Sequence, residues 1–292
     1  MKKIILFILL SILFFHHNPV KAQDAIVIPD TLAGWQTSWE VGLNGSQASY
    51  SNWAQGGVNN ISATGATTYS SLYREGRFGY GILINLRYGK SQIDDEGTRK
   101  IDDRLYIQNR FLYDLGDEGS IFKLFSNIRL RTQFDKGYDY GANEDGSDRL
   151  ISRFFAPAYF TEDIGLAYIP NDNFTYEMGF GLQQTYVADQ DLAPLYGFDE
   201  NENFRSEAGL TIGASYQIDL AENLTYGTSL NTFTNVGKAL SSTDIHFNNK
   251  LVGRINSFMN ATLNLDFVYD DDYSEDWQVA QVLSLGVSFN LR

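Results

Sequence analysis

The chain has no cysteine, and only five prolines and three histidines occur among its 292 residues. The absence of cysteine excludes disulfide bonds, a lipid attached to an N-terminal cysteine, and zinc sites built on thiolates. Two of the histidines, His16 and His17, lie in the extreme N-terminal segment, so His246 is the only histidine in the rest of the chain. Histidine-based metal sites and catalytic relays therefore have little to draw on.

Basic residues are also scarce, because 22 Lys and Arg stand against 36 Asp and Glu, a formal net charge of −14. Nucleic-acid binding is disfavoured, since phosphate contacts need Lys and Arg. After the N-terminus no long stretch is apolar, which excludes a hydrophobic transmembrane helix. The chain is instead rich in Tyr, Phe and Gly, with 18, 20 and 26 residues, and this composition is typical of a β-rich protein.

The N-terminus has the form of a secretory signal peptide. Lys2 and Lys3 precede the apolar run Ile4–Phe15, and Val20 and Ala22 place small residues where a signal peptidase reads them. The alternative is an uncleaved anchor, but the run is shorter than the roughly 20 residues that a membrane helix needs. We predict a signal peptide over 1–22, a short periplasmic leader over 23–34 and one barrel domain over 35–292.

About twelve later segments alternate apolar and polar residues with a period of two. In the segment Phe78–Gly89, Phe, Tyr, Ile and Leu occupy every second position, and mainly Gly, Asn and Arg lie between them. Side chains of a strand point to alternate faces, so one face is apolar over a length that crosses a bilayer when the strand is tilted. Its aromatic ends fit the boundary between lipid and water.

The connections between these segments are alternately short and long. The short ones are Arg74–Arg77, Gly116–Ser120, Ile169–Asn173, Asp219–Asn223 and Asn256–Ser257; the long ones centre on Gly45–Val58, Lys90–Asp103, Asp135–Tyr159, Ala188–Asn203, Thr234–Thr243 and Asp270–Trp277. This pattern predicts an all-β fold, a transmembrane up-and-down antiparallel β-barrel of about 12 strands. The expected location is the outer membrane of a Gram-negative bacterium, among lipid and lipopolysaccharide, with both termini periplasmic. The alternative is a soluble β-sandwich or calycin-like barrel with its apolar face inside.

Charged residues are predicted to line the lumen, on the faces opposite the apolar ones. The residues assigned to this lining are Arg87, Arg110, Arg129, Arg131, Glu177, Glu207 and His246. The arginines fall on early strands and the acids further round, which would set up a transverse field, as in pores that sort small charged solutes. Alternatively, these side chains pair and fill the tube. We expect a narrow or occluded lumen.

Catalysis is not expected. A phospholipase relay would have to face the lipid, whereas His246 shares the inward face with Asp244 and Asn248. We predict no catalytic residue, no cofactor and no metal site, and we interpret acidic loops such as 270–276 as a solvated rim. The leading hypothesis is a non-enzymatic narrow channel or scaffold. The alternatives are a structural subunit that docks other outer-membrane proteins and, less favoured, a lipid-acting enzyme.

The first long connection contains a motif, Asn-Trp-x-x-Gly-Gly-x-Asn, made by Asn52, Trp53, Gly56, Gly57 and Asn59. The motif resembles a family of Bacteroidota outer-membrane proteins that is classed as a domain of unknown function. The resemblance implies a barrel in the outer membrane and supplies no activity. The two glycines allow a sharp reversal of the chain, and Trp53 is either a lid in the barrel mouth or a boundary aromatic.

Overall fold

The computed structural model describes residues 26–49, 59–94, 96–270 and 274–291. Within these ranges the strands are β1 Gly34–Ala48, β2 Asn60–Glu75, β3 Phe78–Ile93, β4 Gly97–Asp114, β5 Phe122–Thr132, β6 Gly137–Asp139, β7 Arg149–Ser152, β8 Ala158–Asn171, β9 Phe174–Tyr186, β10 Phe204–Ala221, β11 Leu224–Asn235, β12 Thr243–Arg254, β13 Met259–Asp270 and β14 Ser274–Asn290. Two short 3-10 helices, Ala193–Tyr196 and Leu240–Ser242, lie in loops. No helix in the described ranges is long and apolar enough to cross a membrane.

Twelve of these strands close into one antiparallel barrel, in the order β1-β14-β13-β12-β11-β10-β9-β8-β5-β4-β3-β2. The predicted twelve-stranded up-and-down barrel is confirmed. The strands β6 and β7 pair only with each other, as a separate hairpin inserted between β5 and β8. The seam is short in the described residues, because β1 pairs β14 over Glu40–Asn44 and Gly286–Asn290, whereas it pairs β2 along its whole length.

The barrel has its apolar residues outside and its charges inside. On β9, Met178 and Phe180 are 51% and 68% exposed, whereas Glu177 is only 9% exposed. An exposed phenylalanine three residues from a buried glutamate reverses the order found in water-soluble proteins. Large apolar side chains are exposed in the same way around the wall, among them Trp39, Leu43, Tyr113, Leu166, Leu210 and Leu285. This is the arrangement that a bilayer requires of a barrel, and it disfavours the soluble alternative.

The connections divide between the two ends of the barrel, with two corrections. The five short connections are tight turns, as predicted. The long connection predicted over Lys90–Asp103 is wrong, because β3 and β4 stay paired up to Ile93 and Gly97. Beyond the membrane both faces of a strand are polar, so the hydrophobic alternation ends while the backbone ladder continues. The long connection predicted over Asp270–Trp277 is also wrong, because β14 begins at Ser274 and this residue pairs with Asp270 at the end of β13. The long segment Asp135–Tyr159 contains the β6–β7 hairpin.

Candidate functional site: the barrel lumen

Arg110 on β4 and Glu177 on β9 meet inside the barrel. The Arg110 guanidinium donates through Nη2 to Oε1 of Glu177 and through Nη1 to Oδ1 of Asn127, the latter at 3.2 Å. Two strands, β5 and β8, separate β4 from β9 around the wall, so the ion pair spans a chord of the lumen. Both side chains are almost buried, and a buried charge of either sign needs such a partner.

Three more residues extend this pair into a central network, defined as Arg110, Asn127, Arg129, Asp163 and Glu177. Asn127 donates to Oδ2 of Asp163 at 2.9 Å, and Nη1 of Arg129 donates to its Oδ1 at 2.5 Å. Sequence reasoning missed Asp163, because it follows a second acid, Glu162, and the alternation around the two does not say which one faces inward. The pairing of β8 is continuous through these residues, so Asp163 faces inward.

A second cluster, the basal network, lies at the short-turn end and comprises Asp30, Arg74, Asp114 and Lys123. Asp114 accepts from Nη2 of Arg74 at 2.5 Å and from Nζ of Lys123 at 2.7 Å. Oδ1 of Asp30 lies 3.0 Å from the same Arg74 nitrogen and 2.8 Å from the same Lys123 nitrogen. The two cations and Asp114 are buried. Two positive and two negative charges balance, which offsets their removal from water.

Asp30 belongs to a chain segment that lies within the barrel. Ile26 and Ile28 are 5% and 4% exposed and pack in one apolar cluster with side chains from the barrel wall. The wall members of this cluster are Leu72, Leu83, Leu112, Phe125, Ala167 and Ile169. The described part of the predicted leader, residues 26–33, therefore occupies the lumen at its short-turn end.

The arginines nearer the long loops form a basic wall on β3, β4 and β5. Arg87 lies directly opposite Arg104 in the register and donates through Nε and Nη2 to one oxygen of Asp102, at 2.9 and 2.6 Å. Arg131, which is opposite Tyr106, is exposed to the lumen. Asp266 on β13 lies on the far side of the barrel from Arg131.

The remaining two predicted lining residues lie away from the central network. His246 on β12 places Nε2 3.3 Å from Oδ1 of Asp266, and Asn248 donates to the same oxygen at 2.7 Å. Glu207 on β10 accepts from Asn235 at 2.7 Å and pairs with Lys238 at 3.3 Å. The inward side chains of β12 and β13 are mostly half-buried, so this side of the lumen is more open to water than the side formed by β2–β5.

Two long loops at the opposite end from the short turns pack on each other. A small apolar core joins Ala156 in one loop to Val187, Leu192, Ala193 and Phe198 in or beside the other. Just after β5, where the first of these loops begins, the Tyr88 hydroxyl donates to Oδ2 of Asp135 at 2.6 Å. This hydrogen bond, together with one from the backbone N–H of Lys136, lowers the pKa of Asp135.

The loop motif residues Asn52, Trp53, Gly56 and Gly57 lie outside the described residues. In the described ranges, no three His, Asp or Glu side chains are grouped to hold a metal ion.

Comparisons with known proteins add a partial family match. Residues 46–138 match a family model described as "Protein of unknown function (DUF3078)". No curated protein matches the chain. Similar solved structures include the translocator domain of the autotransporter NalP from Neisseria meningitidis, with 11% identity, 89% of each chain covered and a TM-score of 0.39. The outer-membrane channel DcaP of Acinetobacter baumannii has 9% identity, 91% and 100% coverage and a TM-score of 0.33. The KdgM porin, solved with disordered oligogalacturonate, has 9% identity, 88% and 100% coverage and a TM-score of 0.36.

Proposed function

We propose that the chain is a non-enzymatic outer-membrane barrel that forms a narrow, polar-lined pore for small charged or dipolar solutes. The observation that carries the proposal is the reversed distribution of side chains: exposed Phe180 outside and the Arg110–Glu177 pair inside. The exterior fits acyl tails, and the interior fits water and ions.

Charge is segregated across the narrow part of the lumen, and this supports selectivity for charged groups. Arg104 and Arg131 lie on β4 and β5, and Asp266 and His246 lie on the facing wall. A transverse field of this kind orients solutes that carry both signs of charge. The more open side, formed by β12 and β13, provides the path.

Planar-bilayer recording tests the proposal. The wild-type protein should give a small conductance, and the double variant Arg129→Ala with Arg131→Ala should increase it severalfold, because two long side chains leave the constriction. Removal of two positive charges should also shift the reversal potential in a KCl gradient toward cation selectivity. The matched control is Arg149→Ala with Arg153→Ala, which removes two arginines from the loops.

The outcome separates the pore from its alternatives. Unchanged conductance and reversal potential in the lumen variant would contradict a conducting path past these arginines. Absence of current in every variant, with correctly folded barrels, would favour the structural-subunit hypothesis. Liposome swelling with sugars and amino acids then ranks the solutes by size and charge.

A further inference from the structure

We propose that residues 26–33, the plug segment, are a removable plug that closes the lumen at the short-turn end and leaves it only part of the time, so that the wild-type barrel conducts little. The effect on conduction rests on the pore function proposed above, whereas the position and release of the segment do not. The segment is an intramolecular ligand of the inner wall, with an apolar part at Ile26 and Ile28 and a polar part at Asp30.

The wall is shaped to receive the two isoleucines. Gly79 and Gly81 on β3 face inward, and a Cβ built at Gly81 would lie 2.5 Å from Cγ2 of Ile26. A Cβ at Gly79 would lie 3.4 Å from Cγ2 of Ile28. A side chain at position 81 would collide with Cγ2 of Ile26, so this glycine makes the space that the isoleucine occupies.

The polar contact is built so that it can be released. Asp30 is the half-exposed member of the basal network, with a side chain 35% exposed, whereas Arg74 and Lys123 are each 1% exposed. If the segment leaves, Asp30 returns to water and the two cations keep Asp114 as a partner at 2.5 and 2.7 Å. Each cation therefore keeps one carboxylate contact when the plug departs, although the network then carries one net positive charge.

The backbone of the segment is also compatible with movement. Within the described residues, it forms no strand ladder with the wall; its internal hydrogen bond joins Leu32 N–H to the Pro29 carbonyl at 3.1 Å. Gly34, at the junction with β1, has φ +76°, a conformation that glycine adopts without steric cost. The segment is therefore held by side chains and attached through a permissive joint.

A cysteine pair tests the proposal directly, because the chain contains no cysteine of its own. A Cβ at Gly81 would lie 3.7 Å from Cβ of Ile26, inside the range of about 3.5–4.5 Å that disulfides require. We expect Ile26→Cys with Gly81→Cys to form a disulfide in the folded barrel and to stay closed in planar bilayers. Reduction should raise its conductance severalfold, toward that of a variant that lacks residues 26–33. The pair Ile26→Cys with Gly65→Cys is the control, because Gly65 faces outward.

A second arm measures release without conduction. The single thiol of Ile26→Cys should react slowly with a water-soluble maleimide, and adding Asp30→Asn should speed the reaction at least tenfold. Asp172→Asn, which changes an exposed carboxylate in another short turn, should leave the rate unchanged.

Three results would overturn the plug. They are a folded double-cysteine barrel that forms no disulfide, equal and rapid labelling with and without Asp30→Asn, or a deletion variant that conducts as little as the wild type while the Arg129/Arg131 variant conducts more. If no variant conducts, the pore proposal fails, and the labelling rates alone decide whether the segment occupies the lumen and leaves it.

Discussion

Arg110 and Glu177 are 67 residues apart in sequence and form an ion pair across the barrel interior. Their strands do not touch, so the contact depends on the closed circumference rather than on local pairing. The central network thus ties β4, β5, β8 and β9 together through side chains, in addition to the backbone ladders.

Removal of one partner of this pair should be costly. Arg110→Ala leaves the Glu177 carboxylate nearly buried without its cation, and loss of a partner in a buried pair typically costs about 3–5 kcal/mol. We expect the free energy of unfolding in urea, measured in lipid vesicles, to fall by an amount in this range. Arg149→Ala is the control, since the Arg149–Asp139 pair is about half-exposed on both sides and pairs at the surface contribute about 0–1 kcal/mol. Equal losses in the two variants would contradict a structural role for the lumen pair.

Gly179 should not tolerate a side chain. Gly165 and Gly179 are cross-strand partners on β8 and β9, and a Cβ at Gly179 would lie 2.3 Å from the Ile164 carbonyl oxygen. Because backbone must move to relieve this overlap, Gly179→Ala should lower stability by about 1–3 kcal/mol. Gly213→Ala on the adjacent strand is the matched control, since its Cβ would meet its neighbours at an ordinary 3.6 Å. The measurement is made by heating samples in SDS to increasing temperatures and running them on a cold gel. The temperature at which the compact, folded band disappears reports the stability.

The apolar core of the loops should control their resistance to proteases. Leu192 is 5% exposed within this core, whereas Leu195, in the same loop, is 38% exposed. Leu192→Ala removes buried methyl groups, which costs about 2–5 kcal/mol, so the two loops should separate and trypsin should cut faster after Arg149 and Arg153 in the loop before β8. Leu195→Ala should be cleaved at the wild-type rate. Identical cleavage of both variants would mean that the loops do not depend on this core.

The hydrogen bond from Tyr88 to Asp135 should set the pH at which the carboxylate of Asp135 stops stabilising the loop. Because this bond lowers the pKa of Asp135, the ionised carboxylate contributes stability above its ordinary pKa, and the contribution is lost as pH falls through the lowered value. Tyr88→Phe should raise the pKa of Asp135 toward its ordinary value and move the loss to higher pH. A carboxyl NMR titration measures the shift, with Tyr138→Phe as the control. An unchanged titration would exclude Tyr88 as the cause.

The period-two pattern predicted the barrel because it assigns a face to each residue without knowledge of the partner strand. Glu177 and Phe180 differ in parity, and their exposures follow from it. The alternation ends where both faces of the strands become polar. For this reason the sequence predicted a loop over Lys90–Asp103, where the structure has the paired ends of β3 and β4.

The sequence could not predict which side chains pair across the lumen, and the reason is physical. Which inward residue meets Arg110 depends on the circumference and stagger of the barrel, and neither quantity appears in a strand's own pattern. The sequence did not indicate that Ile26 and Ile28 lie in the lumen, because two apolar residues at a spacing of two fit an extended leader as well as a plug. Asp30, within the same leader, carried no signal that Arg74 and Lys123 would contact it.

The short ladder between β1 and β14 is the place where the barrel wall should open first. A cylinder held by ladders on every side fails where the ladder is shortest, and among the described residues that is along Glu40–Asn44 and Gly286–Asn290. Gentle heating should therefore unzip the first and last strands from each other before any interior hairpin separates, and amide exchange along Gly42 and Ser288 should run ahead of exchange in β3.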